Sequence, residues 1–346
     1  AARAKVGHAL VLGEMSDRRP IVVAGAGAIG CFVGGMLAAH GRDVTLLVRP
    51  RVAEQIRKHG LRLTGFDGLD QQVPAESLTL SQDPACLAEA GIVLVTVKTD
   101  DTADIARLVA QHTPALSTIV SLQNGLDAAE ILREALPLHD VRGGMVPFNV
   151  VPHGDGRYHR ATSGDIFVET GRMPLAGYLS VPGLQVTGTG AIIGVQWGKL
   201  LLNLNNALNA LSGLTLQQQL LDRRWRRVMA AQMAEALAVL KAHGIHPASS
   251  TPLPAQLIPW VLRLPTPLFS RVAAKMLTID PMAQTSMSYD LEAGKPTEID
   301  ALQGRIIAMG AQEGVATPLC QRVSDLVKEA QARGPGLPDM DPSDLR

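Results

Sequence analysis

Short apolar runs alternate with amphipathic stretches over the first half of the chain. The runs are rich in Val, Ile and Leu and predict buried strands at 21–25, 43–48, 92–97, 117–122 and 141–146. Between them lie helical patterns such as DTADIARLVAQH and LDAAEILREAL. This alternation of strands and helices predicts a doubly wound α/β domain, in which helices cover both faces of a parallel sheet.

The second half follows a helical period. Its clearest segments are RRWRRVMAAQMAEALAVLKAHG and PTEIDALQGRIIAMGAQEG, and a Pro-rich stretch at 251–269 predicts short, broken helices or a cover. The polar, Pro- and Gly-rich end of the chain predicts a flexible tail. We therefore divide the chain into an N-terminal extension (1–19), an α/β domain (20–189), a helical domain (190–333) and the tail (334–346).

The segment GAGAIG follows the first predicted strand and opens a helix. Its glycines have the G-x-G-x-x-G spacing, which allows a tight turn, close approach of the backbone to a pyrophosphate and close packing of helix on strand. The alternative is a glycine turn of purely structural value. Its position in a β-α-β unit favours a dinucleotide site made of Gly25, Ala26, Gly27, Ala28, Ile29 and Gly30.

The end of the second strand predicts which dinucleotide binds. An NAD site carries an Asp or Glu there for the ribose 2′-hydroxyl, whereas this strand ends TLLVRPR and supplies Arg49 and Arg51. A guanidinium pairs well with a 2′-phosphate, so Arg49 favours NADP(H). The alternative is a solvated arginine on a loop.

Two polar residues follow the next predicted strands. Lys98 ends VLVTVK and Asn124 belongs to LQNG. Ligands of open α/β sheets bind beyond the carboxyl ends of the strands, so both residues are expected on the same rim as the glycine loop and Arg49. A solvated loop charge and an Asn-Gly turn are the alternatives.

WGKLLLNLNN is apolar enough for a buried helix, yet it carries a lysine and three amides. Lys199, Asn203 and Asn206 stand at i, i+4 and i+7, which places them on one helix face. Burying these groups costs several kcal/mol unless partners satisfy them. The pattern therefore indicates a polar site, with a lysine that extends to solvent as the alternative.

The chain resembles the ketopantoate reductase (2-dehydropantoate 2-reductase) family over residues 20 to about 333. The resemblance lies in GAGAIG, VLVTVKT, LQNG, WGKLLLNLNNALNAL and SMSYDLEAGKPTEIDALQG, of which the last two are the most specific. It implies a Rossmann-type domain followed by an all-α, 6-phosphogluconate-dehydrogenase-like domain. It also implies reduction of a hydroxyl-bearing 2-oxo acid with NADPH.

The resemblance implies roles for single residues. Lys199 would be the general acid, and Glu298 would accept a hydrogen bond from Lys199 or from the substrate hydroxyl. The implied groups that hold substrate or the ribose and nicotinamide end of the cofactor are Asn203, Asn206, Ser286, Asn124 and Lys98.

The implied assignments have alternatives. Glu298 could answer a helix dipole beside a capping-box-like pair of Thr297 and Asp300, and Ser286 could belong to an ordinary polar stripe. The family commonly has its second amide eight residues after the lysine, where this chain has Ala207. With Phe148, Val150 and the Pro-rich stretch, this departure keeps a different small 2-oxo acid open as the substrate.

Composition excludes several classes of protein. The formal net charge is zero, so nothing favours a nucleic-acid or anionic-membrane partner, and no apolar run is long enough for a spanning helix. Three scattered cysteines without a Cys-x-x-Cys pair fit reduced thiols in a cytoplasmic protein, and the nine histidines show no metal-ligand spacing. We expect an enzyme without a metal, monomeric or homodimeric, and keep a non-catalytic NADP(H) sensor as the alternative from another class.

Overall fold

The chain forms two compact units. The computed structural model describes residues 19–249 and 253–345, without the side chains of Lys275 and Met276. The first unit holds the described residues up to Val146 together with Val150–Arg160 and Asp165–Gly190, and the second holds the remainder. The predicted N-terminal extension lies outside the described residues except for Arg19.

The first unit contains an eight-stranded sheet and a four-stranded sheet. In chain order the strands are β1 (Ile21–Ala24), β2 (Val44–Leu47), β3 (Leu61–Gly65), β4 (Asp70–Val73), β5 (Thr79–Ser81), β6 (Ile92–Val95), β7 (Thr118–Ser121), β8 (Asp140–Met145), β9 (Val150–Pro152), β10 (Arg157–Arg160), β11 (Ile166–Glu169) and β12 (Val186–Thr189). The larger sheet has the order β12-β11-β8-β7-β6-β1-β2-β5, and the smaller has the order β4-β3-β10-β9.

The larger sheet is parallel from β5 to β8. In it β1 lies between β2 and β6, which are its neighbours in opposite directions, and only the β8–β11 pair runs antiparallel. The five strands predicted from apolar runs are all present. Because β1 is where the strand order reverses, the carboxyl end of β1 is the place where such sheets bind ligands.

Five helices belong to the first unit: α1 (Ala28–Ala39), α2 (Pro50–His59), α3 (Thr102–His112), α4 (Ala128–Ala135) and α5 (Leu175–Leu179). One core cluster joins β1, β6 and β7 to α3 and α4 through side chains that include Val22, Val93, Ile105 and Leu132. The alternation of apolar strands and amphipathic helices therefore folds as the sequence predicts.

The four-stranded sheet was not predicted. Its strands are short and carry polar runs such as DQQV and RYHR, so they lack the apolar signature of the larger sheet. Leu61 and Leu63 of β3 are fully buried, and a Cβ atom on Gly35 of α1 would lie 2.9 Å from a methyl carbon of each. A glycine on α1 thus allows close packing against this second sheet.

The described residues of the second unit are helical. The helices are α6 (Ile192–Asn203), α7 (Asn205–Ser212), α8 (Leu216–Leu221), α9 (Arg223–Ala242), α10 (Ile258–Leu262), α11 (Thr266–Val272), α12 (Ser286–Glu292), α13 (Arg305–Glu313) and α14 (Pro318–Arg333), with a π-helical turn at Asp300–Gly304. The Pro-rich stretch forms the short helices α10 and α11, as predicted. Across the described ranges, no helix is both long and apolar enough to cross a membrane.

The end of the chain differs from the flexible tail that its composition predicts. The Met340 N–H donates to the Leu211 carbonyl, Arg224 pairs with Asp341 at 2.9 Å, and Leu345 is buried. Backbone and charge contacts with α7 and α9 thus hold this polar segment against the helical unit. The segment contains few apolar residues, so its sequence does not indicate that it packs.

Candidate functional site

The glycine loop after β1 is shaped by close contacts. Gly25 has φ +97°, and a Cβ atom there would lie 2.3 Å from Val97 Cγ1. A Cβ atom on Gly30 would lie 2.6 Å from Thr96 Oγ1, and that hydroxyl donates to the Gly25 carbonyl at 2.7 Å. Both positions therefore require glycine, and Thr96 fixes the turn.

Gly27 differs from the other two glycines because a Cβ atom there would meet nothing closer than the Gly25 carbonyl oxygen at 3.9 Å. It is exposed and is the N-cap of α1, whose first turn holds no acidic residue and receives no side-chain cap. The thiol of Cys31 on α1 donates to the Ala26 carbonyl at 3.2 Å, and this bond ties the loop to the helix. The open space over uncapped N–H groups suits an anion such as a pyrophosphate.

Arg49 lies two residues after β2, as the N-cap residue of α2. Its side chain is 86% exposed, and its guanidinium lies 3.6 Å from the carboxylate of Asp101. Asp101 follows β6, so the contact links the ends of two strands in the parallel sheet. A weak, exposed ion pair of this kind leaves the guanidinium able to meet an incoming phosphate.

Lys98 and Asn124 lie beyond the carboxyl ends of the adjacent strands β6 and β7. The Thr99 hydroxyl donates to the Asn124 carbonyl at 2.7 Å, and the buried Gln123 amide donates to Thr102 Oγ1 at 2.7 Å and to the Lys98 carbonyl at 3.4 Å. The backbone of the two loops is therefore held together. The side chains of Lys98 and Asn124 are exposed.

Lys199 lies on α6 in the helical unit. Its neighbour Gly198 packs so closely on the backbone of Ala248 that a Cβ atom would lie 1.9 Å from the Ala248 carbonyl oxygen, and the Ala248 N–H donates to the Gly194 carbonyl at 2.8 Å. Trp197, which precedes Gly198, is buried. These contacts fix the turn of α6 that carries the lysine, so the WGK motif is a positioning device as well as a sequence signature.

Burial lowers the pKa of Lys199 to about 8, and the negative charge of Glu298 opposes that fall. Desolvation favours the neutral amine, whereas a nearby carboxylate favours the ammonium. The two effects together leave the amine able to gain and lose a proton near neutral pH. The family resemblance placed both residues in one site, and the charge of Glu298 is felt at Lys199.

Glu298 precedes the π-helical turn, and its surroundings differ from the capping-box alternative. The Thr297 hydroxyl donates to Gln331, and Asp300 pairs with Lys328 at 2.7 Å, so neither residue caps the helix in the predicted manner. Both of these partners belong to α14. The segment that carries Glu298 is therefore anchored on α14, and Glu298 is an exposed residue.

The predicted amides lie where two helices meet. α6 ends at Asn203 and α7 begins at Asn205, but Leu204 between them keeps right-handed helical angles (φ −55°, ψ −26°), and its N–H donates to the Leu200 carbonyl at 3.0 Å. The side chains of Asn203 and Asn206 are half-buried. The single face shared by Lys199, Asn203 and Asn206 therefore stays a prediction.

Ser286 is the first residue of α12, and it is exposed. The Thr285 hydroxyl caps this helix and donates to the Asn206 carbonyl at 3.2 Å, while the Thr285 N–H donates to Asn209 Oδ1 at 3.1 Å. These bonds bring the start of α12 to α7. Ser286 and Asn206 therefore lie on neighbouring, hydrogen-bonded segments.

Sequence reasoning missed several buried amides. Gln232, Gln303 and Asn209 are fully buried and hydrogen-bonded in the helical unit, and Gln123 serves the same purpose in the first unit. A glutamine within the apolar face of an otherwise amphipathic helix was the available signal. In RRWRRVMAAQMAEALAVL, Gln232 stands among Met229, Met233 and Ala236, which are all buried.

The fold and these residues define a class of protein, namely a Rossmann-type unit followed by a helical unit that carries a lysine with a lowered pKa. Two protein-family models together match most of the chain. Residues 21–172 match the ketopantoate reductase PanE/ApbA model, and residues 191–331 match the PanE/ApbA C-terminal model. The chain therefore belongs to the ketopantoate reductase family of oxidoreductases, as the sequence resemblance predicted.

Individual relatives agree with this assignment. A 2-dehydropantoate 2-reductase of Halobacterium salinarum is 28% identical over 323 residues, covering 91% of this chain and 99% of the relative. The crystal structure of a PanE/ApbA family ketopantoate reductase from Ralstonia eutropha JMP134 is 30% identical, covers 91% of this chain and 99% of that one, and has a TM-score of 0.75. A D-mandelate dehydrogenase solved with NADH and anilino(oxo)acetate shares the fold at 20% identity, with a TM-score of 0.71 and coverage of 91% and 99%.

Proposed function

We propose that this protein reduces 2-dehydropantoate (ketopantoate) to pantoate with NADPH, a step of pantothenate and coenzyme A biosynthesis. The observation that carries the proposal is Lys199, an amine whose pKa falls to about 8 while Glu298 stabilises its charged form. A general acid is most effective when its pKa lies near the working pH. The choice of substrate rests on the names of the relatives, and the choice of reaction rests on the lysine.

Lys199 has two tasks in the proposed reaction. Reduction of the C2 ketone develops negative charge on the carbonyl oxygen, and an ammonium within hydrogen-bond reach stabilises that charge. The same ammonium then donates the proton that completes the alcohol. Glu298 keeps a protonated fraction of Lys199 available by opposing the effect of burial.

The remaining polar groups would bind and orient the substrate. Asn203 and Asn206 flank the Leu204 turn, and Ser286 opens the neighbouring helix α12. We assign these residues, with Asn124, to the carboxylate and hydroxyl groups of the 2-oxo acid. Amides and hydroxyls serve both as donors and as acceptors, which suits a substrate carrying both kinds of group.

The first unit fits a nicotinamide dinucleotide. The Gly25–Gly30 loop and the N-terminus of α1 would hold the pyrophosphate, Arg49 the 2′-phosphate, and Lys98 and Asn124 the ribose and nicotinamide end, to which the family resemblance also assigns Glu298 of the second unit. When bound, the cofactor would supply the hydride for C2. The support from this chain is the open space at Gly27 and the exposed guanidinium of Arg49.

A different small 2-oxo acid is the second candidate substrate. Ala207 is fully buried at the position where the family commonly has its second amide, so the set of polar groups differs from the usual one. The D-mandelate dehydrogenase that shares this fold was solved with an anilino(oxo)acetate, which is another 2-oxo acid. Loss of one polar group favours a substrate that lacks a matching hydroxyl.

Consumption of NADPH absorbance by the purified protein tests the proposal. Ketopantoate, pyruvate, 2-oxoisovalerate and phenylglyoxylate would be compared at matched concentrations, each with NADPH and with NADH. We expect kcat/KM to be highest for ketopantoate with NADPH. A higher value for another acid would replace the substrate, and NADPH binding without turnover of any acid would indicate a sensor instead of an enzyme.

We expect Arg49→Ala to change the choice of cofactor. Loss of a charge-assisted contact with the 2′-phosphate costs about 1.5–3 kcal/mol, which corresponds to an increase of about 10- to 150-fold in the Kd for NADPH. The Kd for NADH should stay nearly constant, because NADH has no 2′-phosphate. Titration of both cofactors by fluorescence would measure the ratio.

Arg57→Ala is the matched control for that measurement. Arg57 is an exposed arginine in the last turn of α2, the helix that begins next to Arg49. It should leave both dissociation constants as in the wild type. An NADPH/NADH ratio that is the same in all three proteins would contradict the role of Arg49.

A further inference from the structure

We propose that Gln303 is a positioning residue, which sets the place of Glu298 relative to Lys199 by fastening the segment after Glu298 to the turn after the lysine helix. This inference rests on the proposed function and extends it to a residue that does not itself meet the substrate. The observations that carry it are two buried hydrogen bonds, a π-helical turn and the anchors on α14.

The fastening point is the carbonyl of Leu204. Leu204 lies in the turn between α6 and α7, five residues after Lys199. Its carbonyl accepts one hydrogen bond from Gln303 Nε2 at 2.8 Å and another from Gln232 Nε2 at 2.9 Å. Gln303 Nε2 also lies 3.2 Å from Gln232 Oε1, so the three groups form one buried cluster.

The cluster is costly for a purely structural feature. Both glutamine side chains are completely buried, and Gln303 Oε1 has no hydrogen-bond partner among the residues that the structure describes. A buried amide oxygen without a partner costs about 1–3 kcal/mol, whereas an apolar side chain of similar shape would avoid that cost. A stability role alone therefore explains Gln303 poorly.

The π-helical turn explains how one short segment serves both groups. Asp300–Gly304 forms this turn, which begins two residues after Glu298, and such turns are rare and concentrate at functional sites. Glu298 lies between two fastenings, with Thr297 bonded to Gln331 on one side and Gln303 bonded to Leu204 on the other. The hydrogen bond from Gln303 ends on Leu204, which directly follows α6, the helix that carries Lys199.

The electrostatic consequence follows from this arrangement. Glu298 raises the pKa of Lys199 against the effect of burial, and this influence depends on the distance between the two charges. Without the bond from Gln303 to Leu204, the Glu298 segment loses its fastening to the turn after α6 and keeps its anchors on α14. The Glu298 carboxylate then moves relative to Lys199, and the pKa of the lysine falls because the negative charge stabilises the ammonium less.

Gln303→Met tests the proposal, because it keeps the length of the side chain and removes the amide. We expect kcat for ketopantoate reduction to fall about 10- to 100-fold, the size of effect that small misplacement produces. The alkaline limb of the kcat–pH profile should move to lower pH, while the Kd for NADPH stays as in the wild type. Gln303→Asn, which withdraws the same amide by one methylene group, is the second variant if Gln303→Met does not fold.

Glu235→Met is the control for a general loss of stability. Glu235 lies on α9 three residues after Gln232, and its carboxylate accepts 2.9 Å hydrogen bonds from the N–H groups of Leu319 and Cys320 at the start of α14. Its loss should lower the melting temperature but leave the alkaline limb in place. An unchanged limb in Gln303→Met, or an equal displacement in Glu235→Met, would overturn the positioning role.

A titration that needs no turnover separates this inference from the proposed function. Lysines would be labelled by reductive ¹³C-methylation, and the Lys199 signal assigned by its absence in Lys199→Met. A lower Lys199 pKa in Gln303→Met than in the wild type supports the positioning role even if ketopantoate is not the substrate. An equal pKa in the two proteins rejects the role, even if ketopantoate is reduced.

Discussion

Lys199→Met should reduce kcat for ketopantoate by about 10²- to 10⁴-fold, the usual contribution of a positioned general acid. Methionine is also unbranched and of similar length, so the fold of α6 should be retained. The Kd for NADPH should remain within about twofold of the wild type, because the glycine loop and Arg49 belong to the other unit. Steady-state kinetics and a fluorescence titration would measure the two quantities separately.

The control for this variant is Lys241→Met, which removes an exposed lysine from the last turn of α9. It should have the kcat of the wild type. Glu298→Gln should lie between the two, since it leaves the amine in place but removes the charge that supports its protonated form. Turnover by Lys199→Met at the wild-type rate would remove the lysine from the mechanism and leave the polar face of α6 without a chemical role.

The larger sheet could be predicted because its strands are buried on both faces. Each strand is then a continuous apolar run, as in IVVA of β1 and IVLV of β6, and the helices between them are amphipathic. The smaller sheet gave no such signal, because its strands are short and partly polar. Its position under α1 depends on contacts between Gly35 and the leucines of β3, which are distant in sequence.

The candidate site divides in the same way. The glycine loop, Arg49, Lys98 and Asn124 could be predicted, because the carboxyl ends of parallel strands share one edge. The role of Lys199 stays a prediction, drawn from the few structural explanations that a lysine in an apolar helix has. The hydrogen bonds from Gln232 and Gln303 to the Leu204 carbonyl could not be predicted, because both glutamines lie far from Leu204 in sequence.

The lowered pKa of Lys199 also predicts that the site is destabilising at neutral pH. The amine is neutral in the folded protein above a pH of about 8, whereas in the unfolded chain it stays charged up to its ordinary pKa of 10.5. Between these values unfolding takes up a proton, so the free energy of unfolding rises with pH across that window. Below pH 8 both states are protonated, and the folded state bears the full cost of the buried charge.

Lys199→Met should therefore be more stable than the wild type at pH 7, by up to about 3 kcal/mol at 1.36 kcal/mol per pKa unit. The difference should shrink as the pH rises from 8 towards 10.5 and vanish above that value. Chemical denaturation of both proteins at pH 7, 8, 9 and 10 would measure it, with Lys241→Met as the control that shows no such trend.

A stability difference independent of pH would mean that the amine is well hydrated in the folded protein. The lysine would then titrate near its ordinary pKa and would be almost fully protonated at neutral pH. The gain in stability and the loss of turnover are expected in the same variant, because the fold bears the cost of burying the group that the reaction needs.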